Sequence, residues 1–517
     1  MLSDVEDQAV VEWGPPSPAC RSGPPRAAGT DQQEAFWDEL VLGRGNVVLE
    51  ARAGSGKSFS CREGMARLVA AGASAGRIRY TAFNKSIADE FRAKAPPGVD
   101  VGTFHSFCFR ALQMVLPDRP TIDRLKSYKL LDGVLDESSW RLDREIRKTV
   151  VKLVGAAKNA AFDPRRDQIA CFGDLYDLLE AMDVETRGRD ETVVAASHRL
   201  LKRSMERTDL VDFDDMIWLA WLLAAPHPPT DVFMVDEAQD LNPLQHEVLA
   251  AMAADGRMVA VGDPRQSIYL FRGADPRSMG RLTERFDART MPLTYTFRCP
   301  KRHVELARKW VPDFHARPEN DDGEIVEGGS LDALVDLAGP GDQVVCRRNA
   351  PLVKAALRLI GARKPATIRG RAFGDELTPI LRRCQAATVA GLVRALDEWE
   401  TSRLAALAER DGAEEARERV TDQAAATRAV ALACSTPTEV SRTVADLFVD
   451  SAPADRVVLS SIHRAKGTES RRVFLIHAPT GPRRSKRPPS PAEVEQEENC
   501  QYVAHTRSLH SLVHIHV

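Results

Sequence analysis

The sequence is poor in the features that would mark it as secreted, zinc-bound or membrane-embedded. Nine cysteines are scattered over 517 residues, with no CxxC pair and no Cys/His cluster. That spacing argues against a disulfide framework or a structural zinc and for reduced thiols in a cytoplasm. Long apolar runs are also missing. The longest, Met216 to Ala225, is too short to cross a bilayer, and the acidic, apolar-poor N-terminus does not read as a secretory signal. Charge of one sign is lacking too. The net charge of −3 means that any nucleic-acid binding must come from a local basic or aromatic groove.

What is present is a globular composition, 43% hydrophobic and 28% charged, in a chain long enough for two to four domains. Residues 1–26, rich in proline, glycine and small residues, read as a disordered tail. Short apolar runs then recur as expected parallel strands: Asn46–Glu50, Ile78–Ala82, Val232–Val235, Met258–Val261, Val344–Cys346, Val457–Ser460, Val473–Ile476 and Leu512–Val517. Alternating with helix-like periodicity, they predict an α/β protein. Two stretches break the alternation. Residues 111–205 read as a helical insertion, and 385–445, dense in alanine, glutamate and arginine, as a smaller helical hairpin. The basic, proline-rich stretch Pro479–Pro491 reads as a loop.

Chemistry enters at Ala51-Arg52-Ala53-Gly54-Ser55-Gly56-Lys57-Ser58, which follows a strand and opens a helix. This is a phosphate-binding loop with alanine at its first position. Small residues let backbone N–H groups curl around phosphate oxygens, and the helix N-terminus adds positive potential. Lys57 is expected to reach the β- and γ-phosphates of ATP and Ser58 to ligate Mg²⁺. Phe233-Met-Val-Asp236-Glu237 ends an apolar strand in adjacent carboxylates. Asp236 suits the Mg²⁺ shell, and Glu237 suits deprotonation of the attacking water.

With these two signals in order, the chain resembles the UvrD/Rep-like helicases of superfamily 1A, a group that includes the F-box helicase and compact phage-type branches. The resemblance rests on an ordered set of motifs from Gln33 to Arg507. It implies two RecA-like lobes: lobe 1 over 27–110 and 206–288, interrupted by insertion 111–205, and lobe 2 over 289–384 and 446–517, interrupted by a reduced insertion 385–445. By the same resemblance Gln33, rather than Gln32, reads adenine. Phe83 and Asn84, then Thr103, Phe104 and His105, line single-stranded DNA. Gln266 senses the γ-phosphate while Tyr269, Phe271 and Arg272 face the bases. Phe297 stacks on adenine, Arg298 and Arg507 are arginine fingers, His463 touches DNA and Glu469 lies near the ribose. Independently of the family, stacking on aromatic rings suits binding of any base sequence. Arginines suit a transferring phosphoryl group.

The implied activity is ATP-dependent 3′–5′ translocation on single-stranded DNA and at single-/double-strand junctions, with unwinding in repair, recombination or replication. It would take place in the cytoplasm, at the nucleoid of a bacterial or phage-infected cell, with no membrane partner. Three features depart from the family pattern: Thr468 for leucine, His505 for an apolar residue, and the short 385–445 segment. The last favours an alternative, a DNA-stimulated translocase that remodels protein–DNA complexes with little unwinding. The chain ends soon after Arg507, so no C-terminal nuclease is expected.

Overall fold

The computed structural model describes residues 29–517 except 139, 183, 185, 187, 269–274, 276, 409–413, 451–454 and 478–490. The expected N-terminal tail, residues 479–490 of the proline-rich loop, and Tyr269, Phe271 and Arg272 lie outside the described residues. Pro491 instead opens the helix Pro491–His505, where the missing N–H of proline costs nothing.

Two parallel sheets organise the chain. The first contains β1 (Val47–Ala51), β2 (Ile78–Thr81), β3 (Asp100–Gly102), β4 (Val232–Val235), β5 (Arg257–Gly262) and β6 (Arg289–Leu293), in the order β3–β2–β4–β5–β1–β6. Its central strands are covered on both faces, which is why they read as unbroken apolar runs. Alternate residues divide between two cores. Val48, Phe233, Val235, Met258 and Ala260 face one, and Val47, Leu49, Met234, Val259 and Val261 the other.

The expected lobe boundary at 288/289 needs correction. β6 pairs in parallel with β1, from Val47↔Arg289 to Ala51↔Leu293. Met291 and Leu293 are buried in a first-sheet core, and Pro292 is tolerated because β6 is an edge strand.

The second sheet contains β7 (Glu324–Gly329), β8 (Gln343–Cys346), β9 (Ala366–Arg369), β10 (Phe448–Val449), β11 (Val457–Ser461), β12 (Ser470–His477) and β13 (Ser508–His516). Their order is β7–β13–β12–β8–β11–β9–β10. The α/β class and the parallel sheets are as the sequence implies.

Each sheet carries a helical segment that shares its core. Helices Lys126–Asp136, Arg144–Asn159, Gln168–Ala181 and Asp190–Glu206 pack into the cluster that holds Val48 and Phe233. A buried ion network ties them to helix Phe213–Leu222. Lys126 and Lys158 each reach Asp215 at 2.7 Å, and Lys158 also reaches Asp212 at 3.1 Å. The second segment carries one helix more than a hairpin. It forms three helices, Val389–Ala406, Glu414–Leu432 and Pro437–Leu447, the last leading straight into β10. Leu392, Leu396, Val430, Val440 and Val444 share one core with Val344, Ile368 and Leu459 of the sheet. No helix among the described residues is long and apolar enough to cross a membrane.

Candidate functional site

β1 delivers the phosphate loop at its carboxyl end, where open α/β sheets bind ligands. Gly54 (φ 69°) and Gly56 (φ 84°) hold left-handed backbone, which glycine adopts at little cost. A Cβ on Gly54 would lie 2.5 Å from Cβ of Arg298, and one on Gly56 would lie 3.3 Å from the Gln33 amide and 3.7 Å from the Phe297 ring. Helix Lys57–Ala70 starts at Gly56 with no side-chain cap, leaving its first N–H groups for an anion. The hydroxyl of Ser55 is buried without a hydrogen-bond partner. An uncapped helix start, two left-handed glycines and an orphaned hydroxyl fit a polyphosphate.

β4 ends in Asp236 and Glu237. The Asp236 carboxylate accepts from the Tyr80 hydroxyl at 2.5 Å and from the Glu237 N–H at 2.9 Å. Lys57 Nζ sits 3.1 and 3.0 Å from the two Glu237 oxygens. Burial, then the neighbouring Glu237 charge, pushes the Asp236 carboxyl up. Burial acts upward on Glu237 as well, but Lys57 and then Lys466 outweigh it and hold that carboxyl down at about 2. The two acids are therefore unequal, and Glu237 is the one fixed as an anion. Asp236 and Ser58, whose residue is exposed, could hold a divalent cation, since such an ion needs few protein ligands beside phosphate and water.

The second lobe reaches into this loop. Phe297 N–H donates to the Gly54 carbonyl at 2.8 Å, and the Tyr502 hydroxyl accepts from Ala53 N–H at 2.8 Å. Arg298 Nε lies 2.5 Å from Glu469. Phe297, 44% exposed, has Arg317 4.5 Å over its ring. Arg507 is 1% exposed. Its guanidinium donates to the carbonyls of Val503 and Thr468 and lies 3.5 Å from the Gln266 side-chain oxygen. Burial, then repulsion from Arg298, lowers its pKa to about 10. The Gln266 amide is anchored on Asp263 at 2.7 Å. Across the lobe junction Arg298 thus packs on Gly54, and Arg507 stands beside Gln266.

Residues 30–287 match the model of the UvrD/REP helicase N-terminal domain. The chain belongs to the UvrD/Rep helicase family. It is 28% identical over 331 residues to the ATP-dependent DNA helicase UvrD2 of Mycobacterium tuberculosis, an alignment covering 56% of this chain and 44% of that protein. It is 26% identical over 297 residues to UvrD1 of the same organism, covering 51% and 37%. To PcrA of Staphylococcus epidermidis it is 27% identical over 290 residues, covering 52% and 38%. The chain spans less than half the length of these curated relatives.

Among the residues a UvrD/Rep protein would turn toward nucleic acid, Phe83 is 52% exposed. Asn84 caps helix Lys85–Arg92, and Thr103 caps helix Phe104–Val115. His105 meets the ring of Phe213 edge-on at 6.1 Å. His463 is half-buried in the first turn of helix Ile462–Ala465.

Two of the expected contact residues are largely buried. Phe104 is 6% exposed and packs 6.5 Å from Phe233, with part of it lining the cavity beside Phe83 and His105. Gln33 is 1% exposed, and both ends of its amide are engaged, by Thr30 N–H and by the Ser60 hydroxyl. Its capping box holds helix Asp31–Leu42. Gln32, the neighbour set aside, bridges to Thr294 at the end of β6.

Phe213 went unread. It is 44% exposed, beside His105 and under the Arg124 guanidinium at 5.2 Å. The signal was an aromatic ring among acids in Asp212-Phe213-Asp214-Asp215. The pairing of Lys466 with Asp240, 2.5 Å, was unreadable without the fold. Thr468 links the Ala465 carbonyl and the Gln343 amide, and His505 packs on Trp310 at 4.8 Å, so both departures fill structural sites.

Proposed function

We propose that the chain is an ATP-driven DNA motor: it hydrolyses ATP between its lobes and moves along single-stranded DNA, unwinding duplex ahead of it. The observation that carries this reading is the packing of the second lobe on the phosphate loop, with Arg298 against Gly54 and Arg507 beside Gln266. A nucleotide kinase has no need of that second set. Lys57 and the loop N–H groups orient the terminal phosphates. Glu237, held as an anion, takes the proton of the attacking water. Gln266 orients the γ-phosphate end, and Arg298 and Arg507 stabilise the charge that develops on the transferring group. Mg²⁺, held by Ser58 and Asp236, would neutralise phosphate charge when bound. The Phe297 ring would stack on adenine. Phe83, His105 and Phe213 give the strand an aromatic track tolerant of any sequence. The polarity, 3′ to 5′, follows from the family, and such a motor works where the DNA is, at the nucleoid.

A second reading, a translocase with little unwinding, draws on the helices 389–447, which are packed into the second core instead of projecting as a domain able to engage duplex. One experiment addresses both. ATP hydrolysis is measured with and without single-stranded DNA, beside strand separation of 3′-tailed and 5′-tailed duplexes. Stimulation with unwinding of the 3′-tailed substrate supports the motor. Stimulation without unwinding supports the translocase. Hydrolysis indifferent to DNA sinks both.

A further inference from the structure

Arg52 belongs to the phosphate loop by sequence, yet its side chain leaves the phosphate cradle. Its Nε lies 3.1 and 3.2 Å from the Asp313 oxygens, and one terminal nitrogen lies 2.7 Å from Asp313 Oδ2, a side-on, two-pronged grip. The other terminal nitrogen reaches Asp263 Oδ1 at 3.2 Å, and Glu50 stands 3.7 Å away. The inner end is sealed, with the Arg52 side chain 9% and that of Asp263 0% exposed, while Asp313 is half-exposed. Burial alone would weaken the guanidinium charge. The Asp263 and Asp313 carboxylates reverse that and hold it firmly protonated.

Asp313 lies on the far side of the lobe junction. Its flanking residues Val311 and Phe314 share a core with Tyr502 of helix Pro491–His505, and Ala53 of the phosphate loop is buried in the same cluster. From Asp313 the contacts run on without a break. Arg52 holds one oxygen of Asp263. The other accepts from the Gln266 amide at 2.7 Å, and Gln266 in turn lies 3.5 Å from Arg507. A carboxylate of one lobe is thereby connected, through the residue next to Ala51, to the γ-phosphate end of the proposed site.

We propose that Arg52 is an interlobe strut. It is a positioning residue that holds the phosphate loop against the second lobe through Asp313 and, through Asp263, aligns Gln266. A two-pronged arginine–carboxylate pair fixes direction as well as distance. Populating the joined geometry raises the apparent affinity of any ligand that needs it. The functional half of this inference rests on the ATPase reading above. The mechanical half does not.

The outer partner provides the test, since Asp313→Asn alters a half-exposed side chain and leaves the core intact. ATP turnover of the full chain with saturating single-stranded DNA should show KM for ATP raised about tenfold with kcat changed less than about threefold. Asp313→Glu, which keeps the charge, should hold KM within about twofold. Arg52→Lys, which keeps the charge but loses the fork, should behave like Asp313→Asn. KM unchanged in Asp313→Asn, or raised equally in Asp313→Glu, overturns the coupling. A second arm needs no ATP: hydrogen–deuterium exchange of peptides spanning 51–58 and 310–316. Both should exchange faster in Asp313→Asn. Exchange unchanged in both overturns the strut itself. If the wild-type chain hydrolyses no ATP, the motor reading fails, and the exchange arm still decides the strut.

Discussion

Glu237 holds φ 51° and ψ 39°, a left-handed conformation that costs a non-glycine residue about 1–2 kcal/mol. The strain is maintained by what surrounds it: its N–H on Asp236, its carboxylate on Lys57 and on the Gln239 amide. Such a residue is over-determined in place, as a base that must meet one water molecule has to be. Glu237→Gln keeps the shape and removes the basicity. ATP binding should persist while turnover falls by about 100-fold or more, checked by nucleotide titration beside steady-state hydrolysis. Normal turnover in that variant would assign the base elsewhere. Asp240 invites a different experiment. Burial raises its carboxyl to about 6 despite the opposing Lys466 charge. A carboxyl whose folded pKa exceeds its unfolded value, about 3.9, lends stability that is complete at low pH and lost as pH rises through the folded value. Thermal melts of wild type and Asp240→Asn, compared from about pH 4 to about pH 7.5, should therefore shift in favour of the asparagine variant as pH rises from about 4 to about 6 and level off above that. A difference flat across that range would mean that Asp240 titrates normally.

At the scale of elements, the phosphate loop is packed closely against the second lobe. A methyl group on Gly54 would meet Arg298 Cβ at 2.5 Å and the Thr296 hydroxyl at 2.6 Å, on backbone at φ +69°. Gly54→Ala must push the second lobe away from the loop. ATP affinity should drop by about tenfold or more, with melting lowered by roughly 2–4 °C for each kcal/mol of backbone strain. Calorimetric titration of ATP and a thermal melt separate the two effects. The strands that position this loop were readable because β1, β4 and β5 are buried on both faces and so appear as apolar runs. β3, three residues long, and β7, which runs Glu324-Ile-Val-Glu-Gly-Gly329 along an exposed edge, give no such run. β6 was assigned to the wrong sheet because the order of strands in space is set by crossovers, not by order in the chain. The helices 389–447 were legible as helices. Their alanine-rich faces hid how deeply they pack, since alanine allows close approach without advertising a hydrophobic stripe. Phe104 and Gln33 show the same limit at a site: a motif names the residue but not the direction of its side chain.

For the whole molecule the decisive property of the proposed mechanism is that neither lobe supplies its full set of residues. A cavity of about 160 Å³ lies behind the carboxylates, lined by Asp236, Glu237 and Asp240 on one side and by Phe83 and His105 on the other. It places the proposed base within one shared wall of the proposed strand track. Two ligands that bias the same arrangement of lobes must affect each other equally, because linkage is reciprocal for binding free energies. A non-hydrolysable ATP analogue should thus change the affinity for an oligonucleotide by about 5–150-fold, and the oligonucleotide should change analogue affinity by the same factor. Arg298→Ala removes the proposed contact between the nucleotide and the second lobe while keeping the Cβ that packs on Gly54 and leaving the aromatic track untouched. In that variant each ligand should still bind and the coupling factor should fall toward one. Both titrations can be read by fluorescence anisotropy, with each ligand labelled in turn. Coupling that survives at full strength in Arg298→Ala would mean that the lobes communicate through the cavity wall rather than across the nucleotide.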